Sequence, residues 1–130
     1  MSGFAFDSNI IIDALRGFRK AQVELQRAVD RGGRIWISRM VWIEVMSKGS
    51  GEGLRRAERF LGGFGIDEID EEISVRAAAL RRERPRLKSP DAVILATALT
   101  RGRVLVTRNI KDFPAEMPGI RVPYITPEEA

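Results

Sequence analysis

Hydrophobic residues along this chain fall into two alternating rhythms. Short apolar runs at 3–7 (GFAFD), 34–38 (RIWIS), 66–69 and 103–107 (RVLVT) read as strands. Between them, apolar residues return every three or four positions and read as helices. Ile10, Ile11 and Leu15 mark the first helix, with Ser8 or Asn9 suited to cap it and Gly17 to end it. A second helix over about 18–30 carries Ala21, Leu25, Ala28 and Val29 and stops at Gly32 and Gly33. Ser38 is placed to cap a helix that carries MVWIEVMSKG. Another follows Gly51 and Gly53, with Leu54, Ala57, Phe60 and Leu61 on one side. Ile73, Ala77 and Leu80 mark a helix over 71–83. Ser89-Pro90-Asp91 opens the last one, with Ser89 as the expected N-cap, Pro90 at the first helical position and Gly102 as the stop. Residues 120–124, between prolines, predict a short edge strand.

Strands that alternate with helices predict an α/β fold, a parallel sheet of four to five strands with helices on both faces. At 130 residues, 44% of them apolar, the chain is expected to form a single domain spanning 1–130. Functional groups in such sheets collect at the carboxyl ends of the strands. Acids stand near those places.

Composition narrows the chemistry. The chain has no Cys and no His, which excludes a thiol nucleophile, thiolate metal sites, a His general base and His-ligated zinc. Carboxylates remain. As hard oxygen ligands, a group of them selects Mg²⁺ or Mn²⁺. No apolar run reaches the roughly 18 residues of a membrane span, and the N-terminal residues lack a secretory pattern, so a cytoplasmic protein with no membrane association is expected. Net charge is +4, and residues 81–88 (RRERPRLK) hold five basic side chains against one Glu. Arg82, Arg84, Arg86 and Lys88 there are candidate contacts for phosphates, or a solvated helix end and loop.

Asp7 ends the first predicted strand, where it serves either as a functional group or as the cap of the next helix. Glu44 is the single charge in Met40–Met46, a segment apolar nearly all round. Such a helix is usually buried, and a buried carboxylate needs a cation or donors, with Lys48 four residues on as an ordinary alternative partner. Asp91 lies in the first turn of an apolar helix, where the helix dipole favours a negative charge in any case. Asn109 and Asp112 follow the fourth strand, either joining the acids or capping a turn.

Four segments, FAFDSNIIID, SRMVWIEVMSKG, SPDAVILATAL and VLVTRNIKDFP, occur in the order that characterises PIN-domain ribonucleases, and the chain resembles the VapC-type toxins of toxin-antitoxin pairs over nearly its whole length. The resemblance implies a PIN-like three-layer sandwich in which Asp7, Glu44 and Asp91 hold one or two Mg²⁺ or Mn²⁺ ions. Ser8, Asn9 and Thr107 are then orienting groups. Family members often carry an Asp where this chain has Asn109, so Asp112 is the candidate to supply the missing charge. The resemblance further implies hydrolysis of structured RNA, such as tRNA or an rRNA loop, to 5′-phosphate and 3′-hydroxyl ends. It also implies a homodimer and a cognate VapB-like antitoxin, for which Trp36, Trp42 or Phe60 are contact candidates if they are not simply core. A phosphatase or receiver-like domain would want further acids beside Asp7 and would leave Glu44 unexplained. A non-catalytic RNA-binding PIN domain is the stronger alternative, because Asn109 thins the acidic set.

Overall fold

The computed structural model describes residues 3–125. Among them the strands are β1 (Phe4–Phe6), β2 (Ile35–Ser38), β3 (Gly65–Asp67), β4 (Val104–Val106) and β5 (Ile120–Arg121). The helices are α1 (Ser8–Leu15), α2 (Arg19–Asp30), α3 (Arg39–Met46), α4 (Gly51–Leu61), α5 (Glu71–Glu83) and α6 (Ser89–Arg101). All strand pairs are parallel and the sheet order is β3-β2-β1-β4-β5. The chain steps outward from β1 to β2 to β3, then returns through α5 and α6 to β4 on the other side of β1. With that strand order, the right-handed crossover rule assigns α1–α4 to one face and α5–α6 to the other, the expected three layers.

Because β1 is central and covered on both faces, its sequence is wholly apolar, and Phe6 is fully buried with Phe64 set edge-on against it. The direction of travel reverses between β1 and β4. That is where a doubly wound sheet opens a crevice at its carboxyl edge. Phe6 is level with Val106, so the next residues on those strands, Asp7 and Thr107, stand side by side at the crevice.

Several boundaries differ from the sequence reading for local reasons. Asp7, extended at φ −71 and ψ 157, is the cap of α1, as one of its two readings had it, and accepts the Ser8 amide at 2.8 Å, so neither Ser8 nor Asn9 caps that helix. Lys88 precedes α6 and no side-chain hydrogen bond caps that helix; Ser89 and Pro90 are already its first two residues. α4 starts at Gly51 rather than beyond Gly53. β3 is shorter than expected because Asp70 turns away to cap α5, accepting the Ile73 amide at 2.9 Å. β5 stops at Arg121, with Pro123 nearby and lacking the amide to extend the ladder. Ser38 caps α3 as expected, taking the Val41 amide at 3.1 Å.

The helix α3 departs most from expectation. It buries Val41 and Val45 but leaves Ile43 44% exposed, so it lies on the surface of the fold. Trp36, Trp42 and Phe60 are half-buried; the latter two pack against the core, and Arg34 and Arg103 lie over the Trp36 ring. Three buried acids are tied by arginines: Asp13 to Arg108, Glu24 to Arg121 and Asp67 to Arg103. Among the described residues no helix is long and apolar enough to cross a membrane.

Candidate active site

Asp7 reaches the crevice because β1 ends there and α1 begins at once. Only 3% exposed, it accepts the Thr107 hydroxyl at 2.8 Å and the Asn9 amide at 3.4 Å, beyond its own cap bond. Burial pushes its carboxyl above the ordinary value, Thr107 and Ser8 pull it back, and the charge of Glu44 pushes it up again. Glu44, on the second turn of α3, is half-buried and accepts the Ser8 hydroxyl at 2.8 Å. Ser8 thus joins the two acids, one through its amide and one through its hydroxyl. Lys48 is not the partner of Glu44.

Asp91, in the first turn of α6, faces the same point from the other layer. Burial first, then the charges of Asp7, Asp112 and Glu44, and a hydrogen bond shared with Asp112, push its carboxyl up to about 6. Asp91 is therefore within electrostatic reach of the other three acids, and Asp7 of Glu44, the four coming from separate stretches of chain. Asn109 does not replace the fourth acid but holds it. Its side-chain amide donates to the Asp112 carboxylate at 3.0 Å, its own backbone amide donates to the Thr107 hydroxyl at 3.0 Å, and its side-chain Oδ1 accepts the Asp112 backbone amide at 3.3 Å.

Among the described residues none of these four acids is paired with a Lys or Arg. Hydrogen bonds but no such cation offset their mutual repulsion among the described residues, and their carboxylates are hard oxygen ligands, a chemistry that fits a small divalent cation. As the side chains lie, no three acids among the described residues are placed to grip one ion.

The basic segment divides. Arg82, Arg86 and Lys88 are exposed and in no ion pair among the described residues. Arg84 instead turns inward and donates to the Asp112 carbonyl. A depression lined by Arg84, Arg86, Lys111 and Asp112 runs from this segment to the edge of the acids.

The sequence reading missed the Asp13 site. Asp13 is 1% exposed, more buried than Glu44, and is held by Arg108 at 2.7 and 3.2 Å and by the Tyr124 hydroxyl at 2.8 Å. The signal was available, since Asp13 is also an acid set in an apolar helix, IIIDAL. Its partners lie about a hundred residues away and carry no mark of the pairing.

A family model of the PIN domain matches residues 4–115. The chain belongs to the PIN-domain family. Ribonuclease VapC19 of Mycobacterium tuberculosis is 30% identical over 122 residues, covering 91% of this chain and 97% of that protein. In the toxin-antitoxin complex from Klebsiella pneumoniae, one chain superposes with a TM-score of 0.85 at 40% identity, over 95% of this chain and 99% of that one. The DNA-bound VapBC from Salmonella typhimurium contains a chain similar in fold, with a TM-score of 0.77 at 24% identity over 93% and 96% of the two chains.

Proposed function

We propose that this chain is a divalent-metal-dependent endoribonuclease toxin, its residues 1–130 acting as one PIN domain. It cleaves structured cellular RNA, a tRNA or an rRNA, to 5′-phosphate and 3′-hydroxyl ends. The observation that carries this reading is the convergence of Asp7, Glu44, Asp91 and Asp112, with the Asp91 carboxyl raised by the charges facing it. The similarity to a ribonuclease and to a toxin-antitoxin complex supports RNA as the substrate and a VapB-like antitoxin as partner; a homodimer is part of the proposal on the family resemblance alone.

Asp7, Glu44 and Asp91 would hold one or two Mg²⁺ or Mn²⁺ ions, with Asp112 completing the set directly or through water. Such an ion supplies neutralisation of the phosphate charge and an activated water. The protein supplies the rest. Thr107 and Ser8 fix the Asp7 carboxylate, Ser8 fixes Glu44, and Asn109 fixes Asp112. Arg82, Arg86 and Lys88 offer charge to the RNA backbone beside the acids. A route through the ribose 2′-hydroxyl would normally use His as general base, and the chain has no His.

The test is cleavage of total tRNA and rRNA by the purified protein with Mg²⁺ or Mn²⁺, with EDTA, and after Asp7→Ala, with the new ends sequenced. Cleavage that needs metal and Asp7 is expected. Full activity of Asp7→Ala in EDTA overturns the hydrolytic reading. RNA binding without cleavage under every metal condition makes the chain a binding domain instead.

A further inference from the structure

Five basic side chains stand between residues 81 and 88; Arg81, Arg82, Arg86 and Lys88 are exposed, although Arg81 donates to the nearby Leu87 carbonyl, and Arg84 alone of the five is half-buried. Arg84 is the last residue of the α5 cap, its backbone amide still bonded to the Leu80 carbonyl. Its side chain is half-buried. One terminal nitrogen donates to the Asp112 carbonyl, and the other is buried without a hydrogen-bond partner among the described residues. Withdrawing a guanidinium from water without satisfying all its donors is unfavourable, so the contact it makes must repay that loss.

What it contacts is the peptide that carries the fourth acid. Asp112 is held on its inner side by Asn109, through its carboxylate and its amide. The next residue, Phe113, is fully buried and donates its amide to the Asn109 carbonyl at 3.0 Å. Arg84, from the end of α5, adds a charge-assisted bond to the Asp112 carbonyl. Exposed loops without such ties let their side chains wander, and Asp112 here must stay against Asp91.

We infer that Arg84 is a positioning residue rather than a phosphate contact: it clamps the 109–113 turn so that the Asp112 carboxylate faces Asp91. The inference rests on the ribonuclease reading for its effect on activity, though not for its effect on the turn. It separates Arg84 from Arg86 and Lys88 in the same segment. The clamp acts on the chemical step, whereas the neighbours act on binding.

The experiment compares full-length Arg84→Ala, Arg84→Lys, Arg86→Ala, Asp112→Ala and the Arg84→Ala/Asp112→Ala pair. Single-turnover cleavage of tRNA, RNA affinity over a range of salt, and amide hydrogen exchange in metal-free protein are measured. Arg84→Ala is expected to slow cleavage roughly tenfold or more while RNA affinity and its salt dependence stay near wild type. Arg84→Lys, which keeps the charge and one donor, restores part of the rate and shows that the fold is intact. In the Asp112→Ala background, removing Arg84 adds little further loss, since the two act as a unit. The Asp112 and Phe113 amides exchange faster in Arg84→Ala. Losses in affinity and salt slope matching those of Arg86→Ala overturn the inference, as do rate losses that multiply in the pair. If wild type cleaves no RNA, the ribonuclease reading falls and exchange alone judges the clamp: unchanged protection of Asp112 and Phe113 in Arg84→Ala overturns it.

Discussion

Asp91 carries the clearest pH signature in the molecule. An acid whose folded value, about 6, stands above its ordinary 3.8 keeps its proton in the folded state over a range where the unfolded chain has lost it. The folded state then binds more protons than the unfolded one, so this group makes stability fall as pH rises between those two values. Asp91→Asn removes that slope. In metal-free protein above pH 6 it should raise stability by about 1 kcal/mol, a figure discounted because the carboxyl is half open to solvent. Urea melts of both proteins at pH 4 and 7 check this, and a variant less stable than wild type at both would be the contrary result. If the acids hold Mn²⁺ as proposed, its binding should strengthen as the pH is raised through about 6, because ligands must be deprotonated to bind; calorimetric titration reads it directly, and binding that does not change with pH would be the contrary result.

Elements set how far these side chains can reach. α3 presents Glu44 only because Ser38 turns the chain from β2 into a helix without a loop, its hydroxyl satisfying the Val41 amide. Ser38→Ala should lower stability by about 1 kcal/mol in thermal or chemical melts, the usual worth of such a cap. The strand and helix series was legible in the sequence because period-two and period-3.6 patterns survive in each segment, and all four runs taken as strands form strands. Helix starts were less legible. Asp7, Ser8 and Asn9 are all good capping residues, and the choice of Asp7 depends on where β1 stops, which its register with β4 decides. The expectation that α3 would be buried failed because half-buried Met40, Trp42 and Met46 leave one side of the helix open at Ile43, a matter of neighbours rather than of the helix itself. Glu44 was nonetheless singled out, for a degree of burial that Asp13 shows more fully.

At the scale of the whole molecule, the cross-chain arginine ties carry weight that surface pairs do not. Arg108 sits one residue past Thr107 and is bidentate to buried Asp13, so it joins the strand end at the crevice to α1. Arg108→Ala leaves that carboxylate with the Tyr124 hydroxyl but no cation, and should cost about 2 kcal/mol. Arg55→Ala, which breaks an exposed pair with Glu52, should cost under about 1 kcal/mol by comparison. Equal losses in the two melts would refute the ranking. Long-range pairings of this kind left no trace in sequence spacing, and the acidic cluster itself was legible only as four separate acids near strand ends. The role of Asn109 as the holder of Asp112 needed the turn to be seen, since an amide and a carboxylate three residues apart are also what any capped turn contains.

The sheet order has a consequence for how the protein comes into being. β1 is made first, yet its crevice neighbour β4 is among the last elements synthesised. A nascent chain that has emerged as far as α6 already displays Asp7, Glu44 and Asp91, but it lacks Thr107 and Asp112, and β1 has nothing on its open side. Pairing across so long a stretch of chain is intrinsically slow. On the proposed ribonuclease reading, the site would therefore stay incomplete until β4 and the turn that carries Asp112 have been made.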